Sequence, residues 1–177
     1  MKKQDFLDML LGMDKPIDAY KINNELSLVF FIEDIERIIR TSREYNGFTF
    51  YNKAANKQST CKAIGFDSYE TDFTLEIHHV IYLYDIVYIT GISMLKDLAD
   101  DQFLMSYDVA SQVMKDHFEG IIPIVPLSKT YHQLYHSGDY NFDKEDIYGD
   151  YEIWLDKYKE FITDFKMKTF KENLIIK

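Results

Sequence analysis

The stretch "IIPIVPLSKTYHQLYHSG", residues 121–138, changes character halfway along. Its first half is apolar and carries Pro123 and Pro126. Proline has no backbone N–H to give a helix, so this half reads as extended chain. The second half can open a helix with Ser128 or Thr130 as N-cap and close it at Gly138. Such a helix sets His132 and His136 on one face, about one turn apart. Upstream, "FTLEIHHV", residues 73–80, alternates Phe73, Leu75 and Ile77 with Thr74, Glu76 and His78, the period of a half-buried strand. Four of the five histidines therefore fall into two pairs. One pair is adjacent at a strand end, and the other is spaced by four on a short helix.

Outward from these two segments the chain reads as helical. After His79 the pattern turns continuously apolar, and "YLYDIVYITGISMLKDLA" fits a helix in which Asp85 is an acid within an apolar run, a cap or anchor. "SYDVASQVMKDHFEG" is amphipathic, with Val109, Val113 and Met114 on one face. The two form a helical insertion over about 84–119. On the N-terminal side, residues 4–13 have helical spacing, and residues 23–48 predict one long helix. Its stripe is Leu28, Phe31, Ile32, Ile35, Ile38 and Ile39, and Gly47 lies just past its end. Residues 51–72 read as a loop with room for a short strand. The tail predicts one or two helices burying Ile153, Trp154, Tyr158, Phe161 and Phe165. The class is α+β.

Composition bounds the rest. The chain has 177 residues, 46% hydrophobic, with 14 Tyr, 13 Phe, 3 Pro and 7 Gly, which is a folded composition. No apolar run reaches the roughly 18–20 residues that cross a bilayer, and Asp5 and Asp8 interrupt the basic N-terminus, so neither a membrane span nor a signal peptide is expected. Cys61 is the single cysteine, which excludes an internal disulfide and a cysteine-cluster zinc site. The expected location is the cytoplasm, the host's if the gene is a phage's. The net charge is −10, and residues 64–119 alone hold −9 of it. Arg37, Arg40 and Arg43, off the apolar stripe, form the one local basic row that could meet phosphates. The acidic remainder suits a basic protein partner or a mimic of DNA.

The histidine spacing carries the chemistry. Imidazoles at i and i+4 can chelate one metal ion, and a third from a neighbouring strand makes a three-ligand site with an open position. The adjacent strand histidine points the other way and can act as a general base. Zinc suits three imidazoles, with magnesium or nickel as alternatives.

The combination of "EIHH", "LYDIV" and "PLSKTYHQLYHSG" resembles the HNH, or ββα-metal, endonuclease family, closest to its His-rich, colicin-like and phage-encoded versions. The resemblance covers roughly residues 70–140. It implies a central ββα-metal core (66–140) with the helical insertion, an N-terminal helical segment (1–65) packed on it, and C-terminal helices (141–177). It also implies that His78, His132 and His136 hold the metal and that His79 activates water for attack on a phosphodiester of nucleic acid, DNA before RNA. Lys129, at the helix start beside Ser128, would meet the scissile phosphate. Glu76, on the strand face of His78, would fix a ligand tautomer, or be a solvated carboxylate. His117 reads as a capping or surface residue near a helix C-terminus, or as a group orienting the base. Where the family places an orienting Asn, this chain has Pro123, with only a carbonyl to offer. The gap between the histidine pairs is also longer than the family's hairpin. The alternative is a catalytically silent, metal-stabilised acidic module that binds a protein; a dimer is compatible with either.

Overall fold

The computed structural model describes residues 25–55, 60–68, 73–99 and 104–174, so the helix expected over 4–13 lies outside the described residues. Among them the fold is α+β and mostly helical, with seven α-helices and one two-stranded antiparallel sheet. Two compact units share the chain. One takes residues up to Ser42 and Leu83–Lys115, the other Arg43–Tyr82 and Asp116–Lys177. Each is thus discontinuous in sequence.

The first unit is helical. Helix α1 (Glu25–Thr41) buries Phe31, Ile32, Ile35 and Ile39 at helical spacing. Helix α3 (Leu83–Asp97) packs on it, burying Ile86, Val87, Thr90 and Gly91. An added Cβ on Gly91 would sit 4.0 Å from Leu104 and Val109, ordinary contact distance. Val109 belongs to α4 (Ser106–Phe118), which buries it together with Ala110, Val113 and Met114.

The long helix expected over 23–48 is in fact two. α1 ends where Thr41 Oγ1 donates to the Arg37 carbonyl at 2.8 Å and Ser42 Oγ to the Ile39 carbonyl at 2.8 Å. These side chains satisfy carbonyls that a continuing helix would bond. A second helix, α2 (Arg43–Ala55), starts directly after Ser42. Gly47 lies inside α2, and residues 51–55, expected as loop, complete it.

The second unit is built on β1 (Leu75–His79) and β2 (Ile124–Ser128), paired from Leu75 opposite Ser128 to His79 opposite Ile124. The Val80 N–H donates to the Pro123 carbonyl at 3.1 Å and carries the ladder one step further. β2 runs straight into α5 (Lys129–Ser137). The Ser128 hydroxyl caps that helix by accepting from the Tyr131 N–H at 3.4 Å, and Gly138, at φ 81°, ends it in the left-handed conformation that only glycine takes cheaply. Gly149, at φ 102°, passes so close to Ile122 that an added Cβ would lie 2.4 Å from its carbonyl oxygen, so the 148–150 crossing requires glycine.

Helices α6 (Tyr151–Tyr158) and α7 (Asp164–Leu174) follow. They bury Trp154, Leu155, Tyr158 and Phe170, with Ile162 between them. The expected stripe differs here: Ile153 is 52% and Phe165 79% exposed. A 3-10 turn over Lys159–Phe161 and an extended Ile162 break the 3.6-residue period, so a stripe carried across the break lands on the wrong face. Asp116, fully buried, accepts from Lys157 Nζ at 2.5 Å and Tyr158 Oη at 2.6 Å, tying the last turn of α4 to α6.

Candidate metal centre

The pleat of β1 sends Glu76 and His78 to one face and Leu75, Ile77 and His79 to the other. α5, continuous with β2, lies over the first face. Its capped start fixes the helix phase, so His132 and His136 both point back at His78. Ring centroids lie 5.0 Å apart for His78 and His132, 5.3 Å for His78 and His136, and 4.8 Å for His132 and His136. One ligand nitrogen from each falls within 4.8 Å of the others. The Nε2 atoms of His132 and His136 are 3.1 Å apart. A tetrahedral zinc with Zn–N bonds of about 2.1 Å needs about 3.4 Å between its nitrogens, a spacing the helix pair nearly has and the full set, within 4.8 Å, approaches.

Three further features suit a cation. His78 is 2% exposed, and among the described residues its Nε2 has no hydrogen-bond partner, a costly state for a buried polar atom. Burial first, then the neighbouring His132 and His136, hold His78 down to about 3, so it is a neutral donor at pH 7. His136 is also held below its ordinary value, by desolvation and by His132. Glu76 Oε2 sits 2.6 Å from His132 Nδ1, which keeps the proton on Nδ1 and leaves Nε2 as an acceptor, 3.1 Å from His136 Nε2. Tyr135 and Phe142 wall the buried side, with ring centroids 4.4 Å and 5.8 Å from His78. Neither was singled out from sequence. Tyr135 lies between the helix histidines in the quoted motif, whereas nothing in the sequence marks Phe142.

His79 is elsewhere. It is 6% exposed on the opposite face, with its Nε2 2.9 Å from Nε2 of His117, one nitrogen donating and the other accepting. Tyr45 of α2 stacks on His79 at 6.2 Å and meets His117 edge-on at 5.7 Å, and Phe48 adds an edge contact to His117 at 5.0 Å. The residue expected to activate water is thus buried in an aromatic box, turned from the triad by the pleat. His117, expected as a surface cap or an orienting group, is 2% exposed and touches His79 rather than the triad. The Pro123 carbonyl is used by Val80 in the ladder. Lys129 is an exposed first residue of α5 whose N–H donates to the Thr74 carbonyl at 3.1 Å.

The arginine row is partly neutralised by its own helix. Arg37 pairs with Asp34, and Arg40 with Glu36 at 3.5 Å. Arg43 is exposed at the first position of α2.

A family model described as "Bacteriophage G278-like virion protein" matches residues 7–175. No curated protein matches, and no solved structure does. The family match overturns the HNH resemblance over nearly the whole chain. The expected phosphodiester hydrolysis, the nuclease and DNA-binding description and the cytoplasmic location fall with it; of that description, the phage origin is what remains. The order strand, strand, helix recurs in many folds and does not by itself establish an HNH core.

Proposed function

The chain belongs to the bacteriophage G278-like virion protein family, and from that premise we propose that it is a component of the phage particle whose second unit is fastened by a divalent metal. The ligands are His78 of β1 and His132 and His136 of α5. Three imidazoles favour zinc over magnesium, which prefers oxygen donors. The supporting observation is the buried, unpartnered Nε2 of His78, aimed at two helix imidazoles one turn apart.

The role is mechanical. The two-stranded sheet is small, and α5 has no fully buried residue of its own. Its inward contact is the half-buried Tyr135, stacked on Phe142 at 4.8 Å, and so short a helix gains only modestly from packing. A bond from each of its histidines to an ion also held by the strand would supply a further anchor, and metal binding then adds to folding free energy. Glu76 supports the ligand set by orienting His132.

Two experiments test the reading. Mass spectrometry of purified particles should find this chain; its presence in infected cells but absence from particles would refute the particle role. Elemental analysis of the purified protein should find about one zinc per chain, and a chelator should lower its melting temperature. A metal-free protein that takes up no divalent ion on addition would refute the metal role.

A further inference from the structure

We infer that α5 and the turn after it, residues 129–143, form a lid that the metal latches over the sheet. Loss of the ion releases this segment and uncovers Cys61, while the rest of the second unit stays folded. The inference rests on the reading above that His78, His132 and His136 bind a divalent ion.

The inward contacts of the lid converge on one strand residue. His132, Tyr135 and His136 of α5, and Phe142 beyond it, pack around His78 with ring centroids 5.0, 4.4, 5.3 and 5.8 Å away. Tyr135 stacks on Phe142 at 4.8 Å, and Phe142 is fully buried. No residue of α5 itself is. The segment is therefore held to β1 where the ion would bind. Without an ion, the closed lid buries His78 Nε2 with no partner among the described residues, and an unsatisfied buried nitrogen is costly. Opening lets water reach that nitrogen. The ion reverses the balance, because it bonds all three imidazoles only when the lid is closed.

The rest of the second unit has its own ties. Asp116 accepts from Lys157 and Tyr158. His79 meets His117 beside Tyr45 and Phe48. Trp154 packs on Tyr158 and Phe170 at 5.1 and 6.3 Å. None of these contacts uses α5. The free energy of opening differs across a fold, and a segment fixed mainly at one point opens before a core fixed at several.

Cys61 lies at the hinge of the lid. It is fully buried, and its Sγ accepts from the N–H of Ser128, the N-cap of α5, at 3.1 Å. Tyr140, near the far end of the lid, packs edge-on against Tyr131 of α5 at 4.9 Å. Burial first, then Asp146 and Cys61, push the Tyr140 phenol up to about 12. The thiol is thus bonded to the start of the lid and within electrostatic reach of its end. Buried thiols are inert and exposed ones react, so the chain's single cysteine reports on opening.

The experiment uses the full chain, loaded with zinc or treated with a chelator. Labelling of Cys61 by N-ethylmaleimide is followed by intact mass, and backbone hydrogen exchange by mass spectrometry of peptides. The expected result is slow labelling with zinc, labelling about 10-fold or more faster after chelation, and reversal when zinc is added back. Exchange should rise over 129–143 and stay unchanged over Tyr151–Tyr158. His136→Ala, at an exposed position, should remain folded by circular dichroism. Its labelling and exchange should match those of the chelated protein whether or not zinc is added. A chain that binds zinc but labels and exchanges alike with and without it overturns the lid and leaves the metal reading standing. Exchange that rises equally over Tyr151–Tyr158 also overturns the lid, since the ion would then hold the whole unit. A chain that takes up no divalent ion overturns both readings.

Discussion

His78 and His79 are the same residue type, one position apart, and they lead separate lives. His78 faces α5 and joins two more imidazoles around a point that suits a cation. His79 faces α2 and the end of α4, where it pairs with His117 inside the rings of Tyr45 and Phe48. Both are buried, and both lie among aromatic groups. The difference is the satisfaction of nitrogens. Nε2 of His79 has its partner 2.9 Å away, whereas Nε2 of His78 has none among the described residues. One strand thus serves two purposes: one face closes a core, and the other brings His78 together with two imidazoles of α5.

Breaking the first face should cost most. His78→Ala removes a buried ligand, and we expect loss of the metal and about 3 kcal/mol or more of stability, measured by elemental analysis and calorimetry. A variant that keeps its zinc and its melting temperature would erase the distinction between the faces.

Acid should act on the same face. In chelated protein, the unfolded chain protonates His78 below its ordinary value of 6.5, while the folded chain resists until about 3. Its contribution is therefore complete above pH 6.5 and is lost as pH falls through that window. Denaturant titrations of chelated protein at steps between pH 7 and 3 should show stability falling, with a shallower fall in His78→Ala; equal slopes would contradict the assignment.

The second face should break differently. His79→Ala removes the imidazole 2.9 Å from His117 Nε2 in a buried site, and about 1–3 kcal/mol should be lost with metal content unchanged. Loss of metal in that variant would mean the faces are not separate. Glu76→Gln sharpens the first face: metal affinity should weaken about 10-fold, by competition with a chelating dye, while the fold persists. Lys129→Ala, at an exposed helix start, should change stability by no more than about 0.5 kcal/mol and metal affinity not at all.

Much of the local structure was legible. Alternation marked β1, paired prolines marked β2 as extended, and Ser128 with Gly138 bounded α5. The i, i+4 spacing put His132 and His136 together because a helix's geometry is local. Elsewhere local rules misled. The Ser42 break and the 3-10 turn at Lys159–Phe161 interrupt periods that the apolar residues continue in the sequence. The family resemblance misled for another reason. Histidine spacing records which groups can meet a metal, and unrelated folds can arrive at it for different ends.

The sequence by itself determined the faces of β1, the bounds of α5 and the two-imidazole pair, since these depend on hydrogen bonds and side-chain periods within a few residues. The tertiary structure alone decided that His78 joins that pair and that His79 and His117, 38 residues apart, meet in a core. Those meetings depend on β2 pairing with β1 across the two-helix insertion and on the phase at which α5 leaves β2. A one-residue slip of β1 would exchange His78 for His79, and only the packing of both faces at once forbids it.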